Sequence, residues 1–231
     1  MSETTTSNQR SAIDLLIDGY VEGMPVLDPQ AATVAVGLWR ALAQGSPVPR
    51  SGLATQLGMP PADVASALDG PLAGTFIEDA DEGISTFWAL GLADMPSPHR
   101  LSVGSQTLYA WCAVDTLFLP LLLGQTAIVD SRLTPTGEPV RLEVHPGHLG
   151  TMTAPEGMVV SFVPLKETGF GDSALSIMST YCHHMLFFAD AATGQKWAAD
   201  HHRGDLVFVP VREAFDGVQR WFRTLLGEAL G

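Results

Sequence analysis

Three side chains carry the chemistry that this sequence can offer. Cys112 and Asp115 stand three apart in "LYAWCAVDTLFLP", and Cys182 follows in "MSTYCHHMLFF". The chain has no other cysteine. A carboxylate inside an apolar run is costly unless it is paired or used. On a helix, Cys112 and Asp115 would share a face, with about 5 to 6 Å between Cβ atoms. Two readings stand side by side. In the first, Asp115 caps a helix or accepts from backbone amides, and Cys112 is a small core residue. In the second, a thiol has a proton acceptor and donor beside it, an arrangement suited to covalent or acid–base work.

Other centres fit less well. His183 and His184 follow Cys182, and strand alternation would put Cys182 and His184 on one face. No C-x-x-C or H-x-x-x-H cluster accompanies them, which argues against a structural zinc site. A Cys-His-Asp hydrolase would need an imidazole near a thiol and an oxyanion hole, and nothing marks the latter. The chain has no glycine-rich phosphate loop, no G-x-S-x-G and no H-E-x-x-H. His99 and Arg100 read as an anchor between modules, His145 and His148 as turn residues, and His201 and His202 as a helix end.

The bulk of the chain limits the partners. It has 231 residues, 46% of them apolar, enough to bury a core. Its net charge of −13 opposes a phosphate backbone, so no nucleic-acid partner is expected. No run of about 18 uncharged apolar residues suggests a membrane span. "MSETTTSNQR" lacks the pattern of a signal peptide. Two cysteines make no disulfide framework, so a reducing cytoplasm is the expected compartment.

The elements that must position the three residues divide in two. Residues 1–10 read as a disordered start. Residues 11–90 read as a winged-helix-like helical module. Its first helix, "SAIDLLIDGYVE", carries Ile13, Leu16, Ile17 and Tyr20 at helical spacing. Its second has Asp28 as N-cap, Pro29 in the first turn and Gly45 as C-cap. Two short helices follow, one opened by Ser51, with a turn at Gly58 between them. "TFIEDADEGISTFWAL" then forms a hairpin around "DADEG". Residues 1–88 contain three arginines, no lysine and eleven acids, a net −8, so packing or dimerisation suits this module better than DNA reading.

Residues 91–231 read as an α+β domain with a mostly antiparallel sheet. "GLADMPSPHRLSVGSQ" looks like the boundary. "TLYAWCAVDTLFLPLLLG" reads as a buried helix interrupted at Pro120. "TAIVDSRLTPTGEPVRLEVH" reads as strand, turn, strand. "MVVSFVPL", "HHMLFFAD" and "DLVFVPV" read as strands, with "SALSIMSTY" and "AATGQKWAADHH" helical. A closing helix has Phe215, Val218, Trp221, Phe222 and Leu225 on one side.

The blocks "PHRLSVGSQTLYAWCAVDTLFLPLLLGQTAIVDS", "YCHHMLFF" and "VREAF", from about Gly91 to the closing helix, resemble the bacterial organomercurial lyases (alkylmercury lyases). The resemblance implies protonolysis of a carbon–mercury bond, giving a hydrocarbon and Hg(II), as a detoxification step. It implies a catalytic set of Cys112, Asp115 and Cys182, which also hold the mercury. It implies no intrinsic cofactor, a small-molecule thiol for turnover, and Hg(II) hand-off to a mercuric reductase. An apolar substrate pocket is expected from Trp111, Leu117, Phe118, Tyr181 and Phe187. The sequence departs from many relatives at His183, where they have a second cysteine, and near Leu133, where they have a structural one. A non-catalytic binder or carrier of Hg(II) or Cu(I) on the same fold is the alternative. Mercury is soft and thiolate is its natural ligand. Two thiolates on mercury make the attached carbon more basic, and the neighbouring acid then supplies a proton.

Overall fold

The structure is a computed structural model that describes residues 11–24, 26–92, 97–165 and 172–231. The start expected to be disordered, residues 1–10, lies outside the described residues. The fold is α+β, with one eight-stranded and one three-stranded sheet, both antiparallel.

The first helix, α1 (Ala12–Gly23), starts at a capping box in which Ser11 and Asp14 satisfy each other's backbone amides. It buries Ile13, Leu16, Ile17 and Tyr20, the predicted face. In α2 (Pro29–Leu42), Asp28 accepts from the Ala31 amide and Pro29 opens the helix. This helix stops at Leu42, with Ala43 as its cap, and Gly45 (φ +83°) takes the left-handed turn just beyond. The short pair is α3 (Arg50–Leu57) and α4 (Pro61–Asp69), separated by Gly58 at φ +63°. Pro49, not Ser51, precedes α3, and no side chain caps it. The hairpin of β1 (Phe76–Asp79) and β2 (Gly83–Phe87) follows as expected.

The described residues of the segment read as a boundary include strands. The segment holds β3 (Leu90–Gly91) and β4 (Arg100–Val103), and it leads into β5 (Gln106–Ala110). Strands β6 (Ala127–Arg132), β7 (Pro139–Val144) and β8 (Leu149–Thr153) complete the larger sheet, in the order β1-β2-β3-β5-β4-β6-β7-β8. The smaller sheet pairs β9 (Val159–Phe162) with β10 (Phe187–Phe188) and β11 (Val207–Pro210).

Two readings near the site need correction. "TLYAWCAVDTLFLPLLLG" is not one helix. Its first part is β5, where Leu108 and Ala110 face the core and Thr107 and Tyr109 do not. That period of two was hidden by the apolar residues that follow it. The helix is only α5 (Asp115–Leu123), and it runs through Pro120 to Gly124 at φ +66°. Every residue of α5 is buried, so packing on all sides offsets the hydrogen bond that proline cannot make. Nor is "HHMLFFAD" a full strand. After α6 (Ala174–Thr180), residues Cys182–His184 form a 3-10 turn, and only Phe187–Phe188 pair in the sheet.

The chain closes with α7 (Ala191–Asp200) and α8 (Val211–Leu226). Helix α8 binds the two halves of the sequence together. Phe222 stacks on Phe118 at 3.9 Å, and Trp221 stacks on Tyr20 at 4.9 Å. Gln219 donates to the Leu117 carbonyl at 3.0 Å. Arg40 on α2 donates to the Leu122 and Leu230 carbonyls. Trp39, fully buried, donates to the Trp88 carbonyl at 2.8 Å and packs on Phe87, Trp88 and Phe222. One continuous apolar cluster runs from α1 to α8.

Candidate active site

The three chemical residues come together through two turns and one backbone bond. Cys112 lies in the turn between β5 and α5, and Cys182 opens the 3-10 turn after α6. The Ala113 amide donates to the Met185 carbonyl at 3.0 Å, which fastens one turn to the other. The Trp111 amide donates to Ala89, and the Thr116 hydroxyl to the Ala113 carbonyl. Ser161 on β9 holds the far side: its hydroxyl donates to the His184 carbonyl at 2.7 Å and accepts from the Leu186 amide at 2.9 Å. The ligand atoms of Cys112, Asp115 and Cys182 all lie within 4.8 Å of one another, and all three residues are buried. Both thiols are free.

The two readings of Asp115 turn out to be compatible. Its Oδ2 accepts from the Cys112 backbone amide at 2.9 Å, so it does organise the turn. It also faces the cavity. Cys112 is not on the helix, so the expected shared helical face does not exist; the turn brings the pair together instead. Burial raises the Asp115 carboxyl to about 7, against the lowering effect of hydrogen bonds from Cys112 and Trp111. Burial also pushes the Cys112 thiol well up, aided by its hydrogen bond to Cys182 and the charge of Asp115. At Cys182 the bond from Cys112 favours the thiolate, but burial and Asp115 outweigh it and the thiol stays raised. The Cys112 sulfur also lies 3.8 Å from the Met185 sulfur.

The cavity beside these groups is narrow and apolar. Its free volume is about 20 Å³, room for roughly one water. Trp111, Phe118 and Tyr181, expected in the pocket, line it. Leu117 and Phe187, though fully buried, do not: Phe187 sits in β10 with its ring edge-on to His99. The sequence reading missed Tyr20, Trp88, Ala89, Met185 and Trp221. Tyr20 was visible only as one of the apolar stripe of α1. Its hydroxyl donates to the Val163 carbonyl at 2.6 Å. Trp88 and Ala89 form the two-residue turn between β2 and β3, and Ala89 has φ +77°. A non-glycine residue there stores strain of order 1 kcal/mol, at the wall of the site. The indole N–H groups of Trp111 and Trp221 are buried with no hydrogen-bond partner among the described residues. Cys112 lies behind the cavity wall, whereas Cys182 is part of it.

The histidines stay outside this arrangement. His183 is exposed and His184 partly buried, and neither bonds to a thiol among the described residues. That leaves a Cys-His hydrolase without its base. His99 is buried, held neutral at about 3 by burial, with Nδ1 2.7 Å from the Ser131 hydroxyl. His145 and His148 stack at 4.2 Å beside the β7–β8 turn. Leu133 is buried at the end of β6.

Two thiols and a protonatable carboxyl beside a narrow apolar cavity, on an α+β frame, are the donor set of the soft-metal class, with an acid at hand. The comparisons agree with that class. Residues 92–223 match the family described as alkylmercury lyase (MerB). An alkylmercury lyase of Pseudomonas putida is 38% identical over 184 residues, covering 80% of each chain. One from Streptomyces lividans is 36% identical over 189 residues, covering 80% of this chain and 81% of the relative. One from Staphylococcus epidermidis is 33% identical over 179 residues, covering 78% and 76%. The chain belongs to the alkylmercury lyase family. A solved structure described as the mercury-bound form of MerB2 shares the fold, with a TM-score of 0.68 at 23% identity, covering 90% of this chain and 98% of that one.

Proposed function

We infer that the protein is an organomercurial lyase. It cleaves the carbon–mercury bond of alkyl or aryl mercury compounds by protonolysis, giving a hydrocarbon and Hg(II), and so serves mercury detoxification. The observation that carries this reading is the convergence of two buried thiols and one buried carboxyl within 4.8 Å, at the wall of a narrow apolar cavity. Family membership supports it independently.

The chemistry follows from the placement. The substrate arrives as R–Hg–SR′, with R′SH a small carrier thiol. Cys182, which faces the cavity, attacks mercury. The bond to the carrier sulfur breaks, and the carrier leaves with the proton that Cys182 gave up. Cys112 then passes its proton to Asp115 and adds to mercury as thiolate. Two sulfur donors load electron density onto the Hg–C bond. The Asp115 carboxyl delivers its proton to carbon, R–H leaves, and Hg(II) stays on the two thiolates. Asp115 fits both roles because burial holds it at about 7, near the pH at which it must take and give a proton. Trp111, Phe118 and Tyr181 are the apolar surface that the organic group would meet beside the reacting atoms. Holding the reactants in place can supply roughly 7 to 11 kcal/mol of the barrier.

No resident cofactor enters this scheme; the small thiol is the co-reactant, and it also lifts Hg(II) off the enzyme. Hand-off to a mercuric reductase and a cytoplasmic location complete the reading. The free buried thiol pair supports the location, since such a pair works only where thiols stay reduced. Among the described residues no helix is long and apolar enough to cross a membrane. We read residues 11–90 as a winged-helix-like packing module and 91–231 as the catalytic unit. The order α3, turn, α4, hairpin supports the first description, and the net charge of −8 over residues 1–88 argues against DNA binding.

Headspace gas chromatography tests the activity. Phenylmercury or methylmercury with excess thiol should give benzene or methane beyond one equivalent per protein, and none from Asp115→Ala. Mercury bound with no hydrocarbon above the thiol-only control would leave a soft-metal carrier instead.

A further inference from the structure

Cys182 and Trp111 form a wall with two sides. Inward they line the narrow cavity. Outward they line an open cleft of about 290 Å³, together with Pro98, Met178, His183 and Leu186. Ser97 and Pro98 also border a second cleft, of about 350 Å³, on the larger sheet. Arg100 on β4, Tyr109 on β5, and Asp130 and Arg132 on β6 line that second cleft. Strand register explains the grouping. Arg100 lies opposite both Tyr109 and Asp130, and Arg132 is two residues beyond Asp130 on the same face. The two clefts adjoin at Ser97 and Pro98, and taken together as a groove they reach from Cys182 to two guanidinium groups.

The charge of this groove departs from that of the chain. The protein has 12 basic against 25 acidic residues, yet two of the basic ones meet here. Asp130 is already engaged by Arg141 at 2.8 Å. Arg132 directs one nitrogen to the Gly137 carbonyl at 2.9 Å and keeps the rest of its fork. Arg100 makes no ion pair or side-chain hydrogen bond among the described residues. Both arginines are exposed. Between them and Cys182, Pro98, Met178 and Leu186 offer an apolar path.

We propose that this groove binds the small thiol that carries the organomercurial, and that it selects a thiol bearing a carboxylate. The proposal rests on the lyase reading, which supplies the need for a carrier. The carrier's sulfur sits over Cys182, its stem lies along the apolar path, and its carboxylate meets Arg100 and Arg132. Guanidinium and carboxylate match as paired donors and acceptors. Exchange there is balanced: a bond forms between mercury and Cys182, the bond between mercury and the carrier sulfur breaks, and the carrier takes the proton lost by Cys182. The same groove seats the thiols that later remove Hg(II).

S-methylglutathione tests the groove without chemistry, because it has carboxylates and no free thiol. In titration calorimetry the wild-type protein should bind one equivalent. Arg100→Ala and Arg132→Ala should each weaken binding by about tenfold, the scale of a hydrogen bond to a charged group. No binding to the wild type, or undiminished binding to the double variant, would overturn the proposal whatever the activity. A kinetic arm uses phenylmercury as its glutathione adduct and as its glutathione diethyl ester adduct, in which the carboxylates are masked. The wild type should show a KM about tenfold lower for the anionic adduct, and the double variant should lose that difference. The same ratio in both proteins would also overturn the proposal. S-methylglutathione binding that depends on both arginines, with no benzene from either adduct, would uphold the groove and sink the lyase reading instead.

Discussion

Asp115 should be the residue at which activity and stability conflict. Burial raises its carboxyl to about 7, against an ordinary value of 3.8. The native protein therefore holds this proton more tightly than the unfolded chain does. Below pH ~4 both states are protonated and the shift costs nothing. As pH rises from ~4 to ~7 the unfolded chain ionises first, and wild-type stability falls. Above ~7 the full penalty applies: about 3 pKa units at 1.36 kcal/mol each, or ~4 kcal/mol. Asp115→Asn removes the charge, and its Oδ1 can still accept from the Cys112 amide. Its NH₂ finds no obvious acceptor among these apolar walls, which returns about 1 kcal/mol. The net expectation is a gain of ~3 kcal/mol at pH 8, shrinking towards pH 4.5. At roughly 2 to 4 °C per kcal/mol for a chain of this size, the melting temperature at pH 8 should rise by about 6 to 12 °C. Urea denaturation of both proteins from pH 4.5 to 8 measures the difference directly. A stability difference that does not grow with pH would refute the assignment of a desolvated carboxyl to this position.

The other expectations are simpler. The pH profile of kcat/KM should have an acid limb with a midpoint near 7, because Asp115 must be ionised to accept the Cys112 proton; a flat profile from pH 5.5 to 8 would remove that step. Cys112→Ser and Cys182→Ser should each lower hydrocarbon release by at least ~10³-fold, since members of one catalytic unit fail together; residual activity above that level in either would break the two-thiolate scheme. Tyr20→Phe removes the 2.6 Å bond to the Val163 carbonyl and strands a buried acceptor, so chemical denaturation should show a loss of about 1 to 3 kcal/mol. Gly217→Ala would place a methyl 2.4 Å from Ile13 Cγ1, where α8 meets α1, and should cost about 1 to 3 kcal/mol by the same assay.

Local patterns in the sequence were enough where a single element decides its own form. The stripe Ile13, Leu16, Ile17 and Tyr20 faces the core as its spacing requires. Asp28 and Pro29 start α2, and Phe215, Val218, Trp221 and Phe222 are the buried side of α8. The chemical trio was legible because cysteine is scarce and a carboxylate in an apolar run is conspicuous. What local pattern did not carry is the surroundings of that trio. Strand β5 merges with the apolar helix after it, so its alternation was masked. Strand β4 is four residues long and sits beside prolines and glycines. The cavity wall comes from α1, the β2–β3 turn and α8, far apart in sequence, so Tyr20, Trp88 and Trp221 could be read only as core. Leu117 is next to Phe118 in the chain and also buried, yet only Phe118 lines the cavity, which no composition argument distinguishes.

Burial also explains how such a site avoids chemistry it should not do. Two sulfurs this close would be open to disulfide formation by a cellular oxidant such as peroxide, or would collect zinc, if they rested as thiolates. Desolvation raises both thiols, so the resting pair is protonated and a poor nucleophile. Zinc needs four ligands in a tetrahedron, and this centre offers three donors in a space for about one water. Mercury(II) is satisfied by two thiolates, and its bond to sulfur is strong enough to displace a proton from a raised thiol. The carboxyl that receives that proton is raised by the same desolvation, so it can return the proton to carbon near neutral pH. One property of the fold, an apolar enclosure around three polar atoms, thus keeps the site idle until a soft cation arrives and supplies the acid once it has.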